Sequence, residues 1–284
     1  MVLLGYETIQ FAPKFAPDPP SLERQVGAAY AAGFSWIAFD RHSLEACEAQ
    51  PGGLERLASI CDRVGLPCRE IQSLRVLAER DETLAGVRAL CRRVAVLKPD
   101  VVPIVFFVPP TEDCVALTRE LIALVRAAHA EVSFAIEFSP LFPVADVTAA
   151  LHVVERLGCE RVGLAVDTWH VFNGSSSLQD LAGLTPEQVP LIQFNDHGPL
   201  AGVPVDVAKD HRLLPGDGVF PLRGFVDLML RNGIDGLVGV EIVSRSMRAW
   251  SPEEFAERAF RSAAAFWSPA GCEHSITDQV RGAS

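Results

Sequence analysis

Residues 161–174, RVGLAVDTWHVFNG, decide how this chain is to be read. Small and apolar residues from Val162 to Val166 run into Asp167, and the chain then passes Trp169 and His170 into a Gly/Ser-rich stretch. A short apolar run bounded by turn residues reads as a buried strand. Asp167 at its end is either the cap of a following helix or part of a chemical site.

Working outward, segments of the same kind recur at 2–8, 36–40, 67–73, 101–107, 132–138, 191–195 and 237–243, making eight strands with 162–167. Each leads through a polar or Gly/Pro loop into a segment of helical period: 21–32, 53–64, 81–97, 112–128, 146–157, 178–182, 221–232 and 252–266. Gly33, Gly65 and Gly233 are suited to left-handed helix caps. Eightfold strand–helix alternation predicts an α/β fold, a single-domain (β/α)8 TIM barrel over 1–267, in preference to a doubly wound sheet. The stretch 268–284 loses the apolar pattern and reads as a mobile C-terminal tail or a segment used in oligomer contacts.

Composition bounds the function. The chain has 284 residues, 49% hydrophobic, and a formal net charge of −11 with no Lys/Arg run. Nucleic acid and anionic membranes need a basic footprint, so neither is expected as a partner. Seven cysteines are scattered without a C-x-x-C pair, which suggests reduced thiols and a cytoplasmic protein. The start, MVLLGYETIQ, lacks the basic region and apolar length of a signal peptide or membrane helix.

In a barrel the C-terminal ends of the strands converge on one mouth. Reading only those ends gives Glu137 in FAIEFSP, Asp167 in GLAVDTWH, His197 in IQFNDHGP and Glu241 in VGVEIVS. Glu137 to Asp167 and Asp167 to His197 are each 30 residues, and His197 to Glu241 is 44, with a longer loop at 198–218. Crowded carboxylates repel and take up protons unless a cation neutralises them, so one divalent ion is expected. Oxygen donors with one imidazole suit Mn²⁺, with Mg²⁺, Co²⁺ or Zn²⁺ as alternatives. His170 falls beyond the strand in the loop, where it can turn over the mouth.

On the motifs IEF, DTWH, NDH, RLLPGDG and VEI, the chain resembles the xylose-isomerase-like sugar isomerase/epimerase superfamily, and within it the ketose 3-epimerases. The resemblance covers about 2–267 and is more specific in the second half. It implies that Glu137, Asp167, His197 and Glu241 hold the ion, and that His170 and Arg212 contact substrate oxygens. Arg212 lies 15 residues after His197, a longer gap than is usual in those epimerases. A chelated carbonyl and hydroxyl acidify the neighbouring C–H through an enediolate. Glu137 and Glu241 then act as acid and base from opposite faces.

The same enediolate can expel a β-hydroxyl or a glycosidic oxygen, so a lyase acting on a keto-cyclitol or 3-keto-sugar derivative is the alternative. Trp169, Phe172 and Trp250 add aromatic surface near the mouth, and His42 is the first-half candidate for a loop residue contacting substrate. An apurinic-site endonuclease would need more strand-end histidines and a basic groove, and a barrel that only binds a ligand would leave the four ligands unused. No Gly-rich phosphate cradle follows a first-half strand and no Lys cluster marks the mouth, which favours a free sugar or cyclitol over a phosphorylated one. The expected partner is that small molecule, with a homo-oligomer left open.

Overall fold

The computed structural model describes residues 2–267, so the expectation for 268–284 lies outside the described residues. Among the described residues there are nine strands, with helices between all of them except β3 and β4: β1 Leu3–Glu7, β2 Trp36–Phe39, β3 Cys68–Ile71, β4 Leu74–Val76, β5 Val101–Phe106, β6 Ser133–Glu137, β7 Val162–Asp167, β8 Leu191–Gln193 and β9 Leu237–Val240. Every pairing is parallel. β1 pairs with both β2 and β9, and β3 and β4 both pair with β5, so the sheet closes on itself. β3 and β4 are the two halves of one stave interrupted at residues 72–73, which makes the closed barrel eight-stranded, as the alternation predicts.

The helices follow the sequence signals. Ser21, Thr111 and Asp146 cap their helices by accepting the backbone N–H three residues on. Gly33, Gly65 and Gly233 have φ of 102°, 78° and 74°, the left-handed geometry that a side chain would strain. Among the described residues no helix is long and apolar enough to cross a membrane.

Two apolar layers hold the barrel. The larger lies between sheet and helices; the smaller, of Trp36, Ala38, Val101, Ala135, Ala165 and Leu191 flanked by Leu3 and Leu237, fills the barrel interior. Side chains alternate faces along a strand, so two residues beyond Ala135, Ala165 and Leu191 the inward positions are Glu137, Asp167 and Gln193. Four residues beyond Leu3 and Leu237 they are Glu7 and Glu241. The intervening inward positions on β1 and β9 are glycines for lack of space. A Cβ at Gly5 would lie 2.1 Å from the Trp36 ring, and one at Gly239 would lie 2.1 Å from Glu7 Oε1.

Candidate active site

Asp167 is both cap and site residue, one oxygen for each. Oδ1 accepts the backbone N–H of Trp169 at 2.8 Å and the amide of Asn195 at 2.7 Å, starting the short helix Thr168–Asn173. Oδ2 faces the mouth, 2.9 Å from an Arg212 guanidinium nitrogen and 3.3 Å from His170 Nε2. His170 therefore sits in a helix, where the sequence suggests a loop. Helical spacing is the reason it reaches the site, since a residue three positions on lies over the cap. Its Nε2 is also 3.3 Å from Glu137 Oε1, so it bridges two strand ends.

Arg212 reaches the same place despite the longer spacing from His197. The segment 198–211 loops out, and the chain returns through antiparallel bridges from Asp196 to Leu213 and from His211 to Ser244. Asp196 fixes this return, its carboxylate accepting the backbone N–H groups of His197, Gly216, Gly218 and Phe220 at 2.8–3.1 Å. One guanidinium nitrogen of Arg212 donates to Asp167 Oδ2, to Glu241 Oε2 at 2.6 Å and to the Glu241 carbonyl at 3.2 Å. Trp169, fully buried, lies 5.4 Å from the guanidinium and edge-on to His170, so it supports those two groups. The sequence places Trp169 as aromatic surface at the mouth, within reach of substrate; its 0% exposure leaves it behind the site.

Four polar residues of this interior escape a reading of strand ends for metal-ligand types. Glu7 and Glu70 are both buried, and Glu7 Oε1 and both carboxylate oxygens of Glu70 have no hydrogen-bond partner. Gln72 ties part of the group together, donating to Glu7 Oε2 at 2.7 Å and to Glu241 Oε1 at 3.0 Å. Gln193 pairs in register with Asp167 and is fully buried, yet its amide oxygen and nitrogen have no partner. The alternation counted from Leu191 was the available signal for it.

Charge and burial set the titration of the group. Burial, then the neighbouring carboxylates Glu70, Glu241 and Asp167, push Glu7 far above the carboxylate range, and burial with Glu241 and Glu137 does the same to Glu70. Glu241 is pushed up to about 7, because burial, Asp167 and Glu137 outweigh Arg212 and His170. Burial also opposes ionisation of Asp167, but Arg212, His170, Asn195 and the Trp169 N–H together hold it below its ordinary value.

His197 does not join the carboxylates. β8 ends at Gln193, and the His197 ring lies in the following loop, Nδ1 2.6 Å from the Gly198 carbonyl and Nε2 3.2 Å from the Ala208 carbonyl, stacked on Phe220. The expected imidazole ligand is thus turned aside, and the inward residue level with Asp167 is Gln193. His42 lies in the first turn of helix Arg41–Glu48, not in a loop, 3.3 Å from Arg41 and 3.7 Å from Glu45. Among the described residues no three His, Cys, Asp or Glu side chains form a ready metal cage. The donors nonetheless fit a hard ion once the Gln193 amide oxygen is counted with Glu137, Asp167 and Glu241. All are oxygens, and the orphaned buried amide lacks a partner that a cation would supply.

Comparison with known proteins places this site in context. An inosose isomerase of Halalkalibacterium halodurans is 24% identical over 143 residues, 50% of each chain. A 3-dehydroshikimate dehydratase of Pseudomonas aeruginosa is 27% identical over 100 residues, 35% of this chain and 16% of that one. The chain thus matches half or less of the length of these relatives. Among solved structures, the IOLI protein with a bound zinc atom superposes with a TM-score of 0.81 at 17% identity, over 94% of this chain and 98% of that one. An L-ribulose 3-epimerase superposes with a TM-score of 0.69 at 16% identity over 100% of both. The profile of one family, the xylose isomerase-like TIM barrels, matches residues 26–268. With the closed barrel and that match across most of its length, the chain belongs to the xylose isomerase-like TIM barrel family.

Proposed function

We propose that the protein is an isomerase or epimerase of a small polyhydroxy carbonyl compound, a ketose or keto-cyclitol, moving a proton at the carbon beside the carbonyl. The observation that carries this is the cluster of buried Asp167 and Glu241 with half-buried Glu137 on inward positions, His170 set between Glu137 and Asp167 and Arg212 between Asp167 and Glu241. An isomerase and an epimerase among the similar proteins support the same reading.

Glu137, Asp167, Glu241 and the Gln193 amide oxygen, this last in place of His197, would hold one divalent ion, Mn²⁺ or Mg²⁺ before softer metals. Bound there, the ion supplies Lewis-acid polarisation of the substrate carbonyl and adjacent hydroxyl. The chain's own groups do the rest. Asp167, kept ionised, holds charge opposite Arg212. Arg212 donates hydrogen bonds at the floor, where negative charge develops on oxygen. Glu241, pushed up to about 7, is matched to exchanging a proton near neutral pH. Glu137, its side chain 16% exposed and three strands round the barrel from Glu241, would be the partner that returns the proton from the other face.

A second reading, a dehydratase, shares the first step and then expels a β-hydroxyl as water, with the proton for the leaving oxygen coming from the same glutamate pair. It is favoured by the aromatic wall of Phe107, 40% exposed, set 4.9 Å edge-on to Phe142, which would accept a flatter, less hydroxylated ring.

The test is proton NMR in D₂O with Mn²⁺-loaded protein and a panel of ketoses and keto-cyclitols. Deuterium at a single carbon with all hydroxyls retained supports isomerisation or epimerisation, and loss of water supports the dehydratase. Glu241→Gln and Glu137→Gln are each expected to slow exchange by about 10²–10⁴-fold. Undiminished exchange in Glu241→Gln overturns the two-glutamate scheme.

A further inference from the structure

The mouth carries a second set of charges, opposite in sign to its floor. Lys14 in the loop after β1, Arg41 directly after β2, Arg75 on β4, Lys209 in the loop after β8 and Arg248 in the loop after β9 all lie at the C-terminal face of the barrel. They are spread through the sequence with no local run, which is why the sequence showed no basic cluster; the closed barrel brings their loops to one rim.

Away from the rim many arginines pair with carboxylates, as Arg24 does with Glu253, Arg93 with Glu48 and Arg156 with Glu112, while Arg119, Arg126 and Arg223 donate to backbone carbonyls instead. On the rim Arg41 pairs with Glu45 at 2.5 Å, whereas among the described residues Lys14, Arg75, Lys209 and Arg248 form no ion pair. Two aromatic rings carry three of them: Arg75 lies 4.7 Å over Phe107, and Arg248 and Lys14 lie 4.7 and 5.4 Å from Phe15. Two guanidinium nitrogens of Arg248 are buried without a partner. Burial and the charges of Lys209, Arg41 and Arg75 hold the Lys14 ammonium below its usual range, so these cations stand within one another's field. In a chain of net charge −11, gathering unpaired cations costs energy that an anion would offset.

We propose that this rim binds an anionic substituent of the substrate, a carboxylate or a phosphate, through Arg75, Lys14 and Lys209, while the carbonyl end faces the acidic floor. This rests on the reading that the floor is the reacting site, and in its phosphate form it reverses the expectation of a free sugar or cyclitol over a phosphorylated one. Arg75, at register with Val105 on the inward face and 4.7 Å over the Phe107 ring, offers the planar fork that pairs with a carboxylate or phosphate. The carboxylates below would repel the same anion, so the two signs fix the direction in which the substrate enters.

Calorimetric titration of the full-length, Mn²⁺-loaded protein with fructose, fructuronate and a fructose phosphate tests this on one carbon skeleton. At least one of the anionic sugars is expected to bind about tenfold or more tightly than fructose, with the preference falling steeply at high salt. The fructuronate and phosphate arms distinguish the two anions. Arg75→Met is expected to reduce the preference by about tenfold and Lys14→Met, at an exposed position where folding is not at stake, by a few-fold. Equal binding of all three sugars, no binding of any, or a preference unchanged in both variants overturns the assignment. Glu241→Gln separates the two proposals. It should slow deuterium exchange by about 10²–10⁴-fold and keep the anion preference, and a wild-type protein that prefers anions without exchanging protons would refute the reaction and leave the rim standing.

Discussion

Replacing Arg212 by methionine tests how the floor is neutralised. The guanidinium is buried and lies 2.9 Å from Asp167 and 2.6 Å from Glu241, whose side chains are 0% and 9% exposed. Methionine keeps most of the volume and removes the charge, leaving buried carboxylates without their counter-ion. Breaking a buried ion pair on one side costs about 3–5 kcal/mol, which for a chain of this size corresponds to a fall in Tm on the order of 10 °C. The deficit depends on pH with a definite sign. Glu241 already titrates at about 7 with Arg212 beside it; without Arg212 its affinity for a proton rises further. At about pH 5.5 the protonated glutamate no longer repels Asp167 and the deficit shrinks, whereas at about pH 8 it is full. Scanning calorimetry in chelator at both pH values measures this. Added Mn²⁺ at about 100 times its Kd returns about 2.7 kcal/mol, with a larger shift in the variant than in the wild type because the guanidinium no longer competes for the carboxylates. A variant that melts within about 2 °C of wild type at pH 8 in chelator would refute the view that Arg212 neutralises the floor.

Gln193→Leu should weaken Mn²⁺ binding by about 10–100-fold, with the fold retained, while His197→Gln should leave it nearly unchanged; titration by calorimetry reads both, and the reverse order would restore His197 as ligand. Gly218→Ala would set a Cβ 2.2 Å from Asp196 Oδ1 and 2.4 Å from the His197 carbonyl, so the return loop must shift. It is expected to cost about 1–3 kcal/mol in thermal unfolding and to raise KM through the displaced Arg212. Glu241, raised from 4.5 to about 7, favours the folded state below pH 4.5 and loses that contribution as the pH climbs to 7. Glu241→Gln, compared in chelator, should therefore flatten the stability profile over that window by roughly 3 kcal/mol.

The backbone plan was set by local pattern. Helix 112–128 falls at the residues its period predicts, and the left-handed φ of Gly33, Gly65 and Gly233 follows from residue type, because these features depend on neighbours a few positions away. Glu137, Asp167 and Glu241 were likewise legible, since a carboxylate at the end of an apolar strand is costly unless it meets a partner. His197 was chosen for its chemistry. Counting inward positions from Leu191 reaches Gln193, and the strand stops there, so the imidazole turns into the loop toward the Gly198 and Ala208 carbonyls. Glu7 on β1, Glu70 on β3 and Gln72 just beyond it carry no local motif, and only barrel closure brings them beside Glu241. Sequence alone therefore determined the barrel, its inward faces and three carboxylates of its floor. Tertiary structure alone decided which cation lies between them and which cations crown the rim. Arg212 reaches Asp167 across 45 residues of chain, and Lys14, Arg75 and Lys209 share a field only because barrel closure brings distant loops to one mouth.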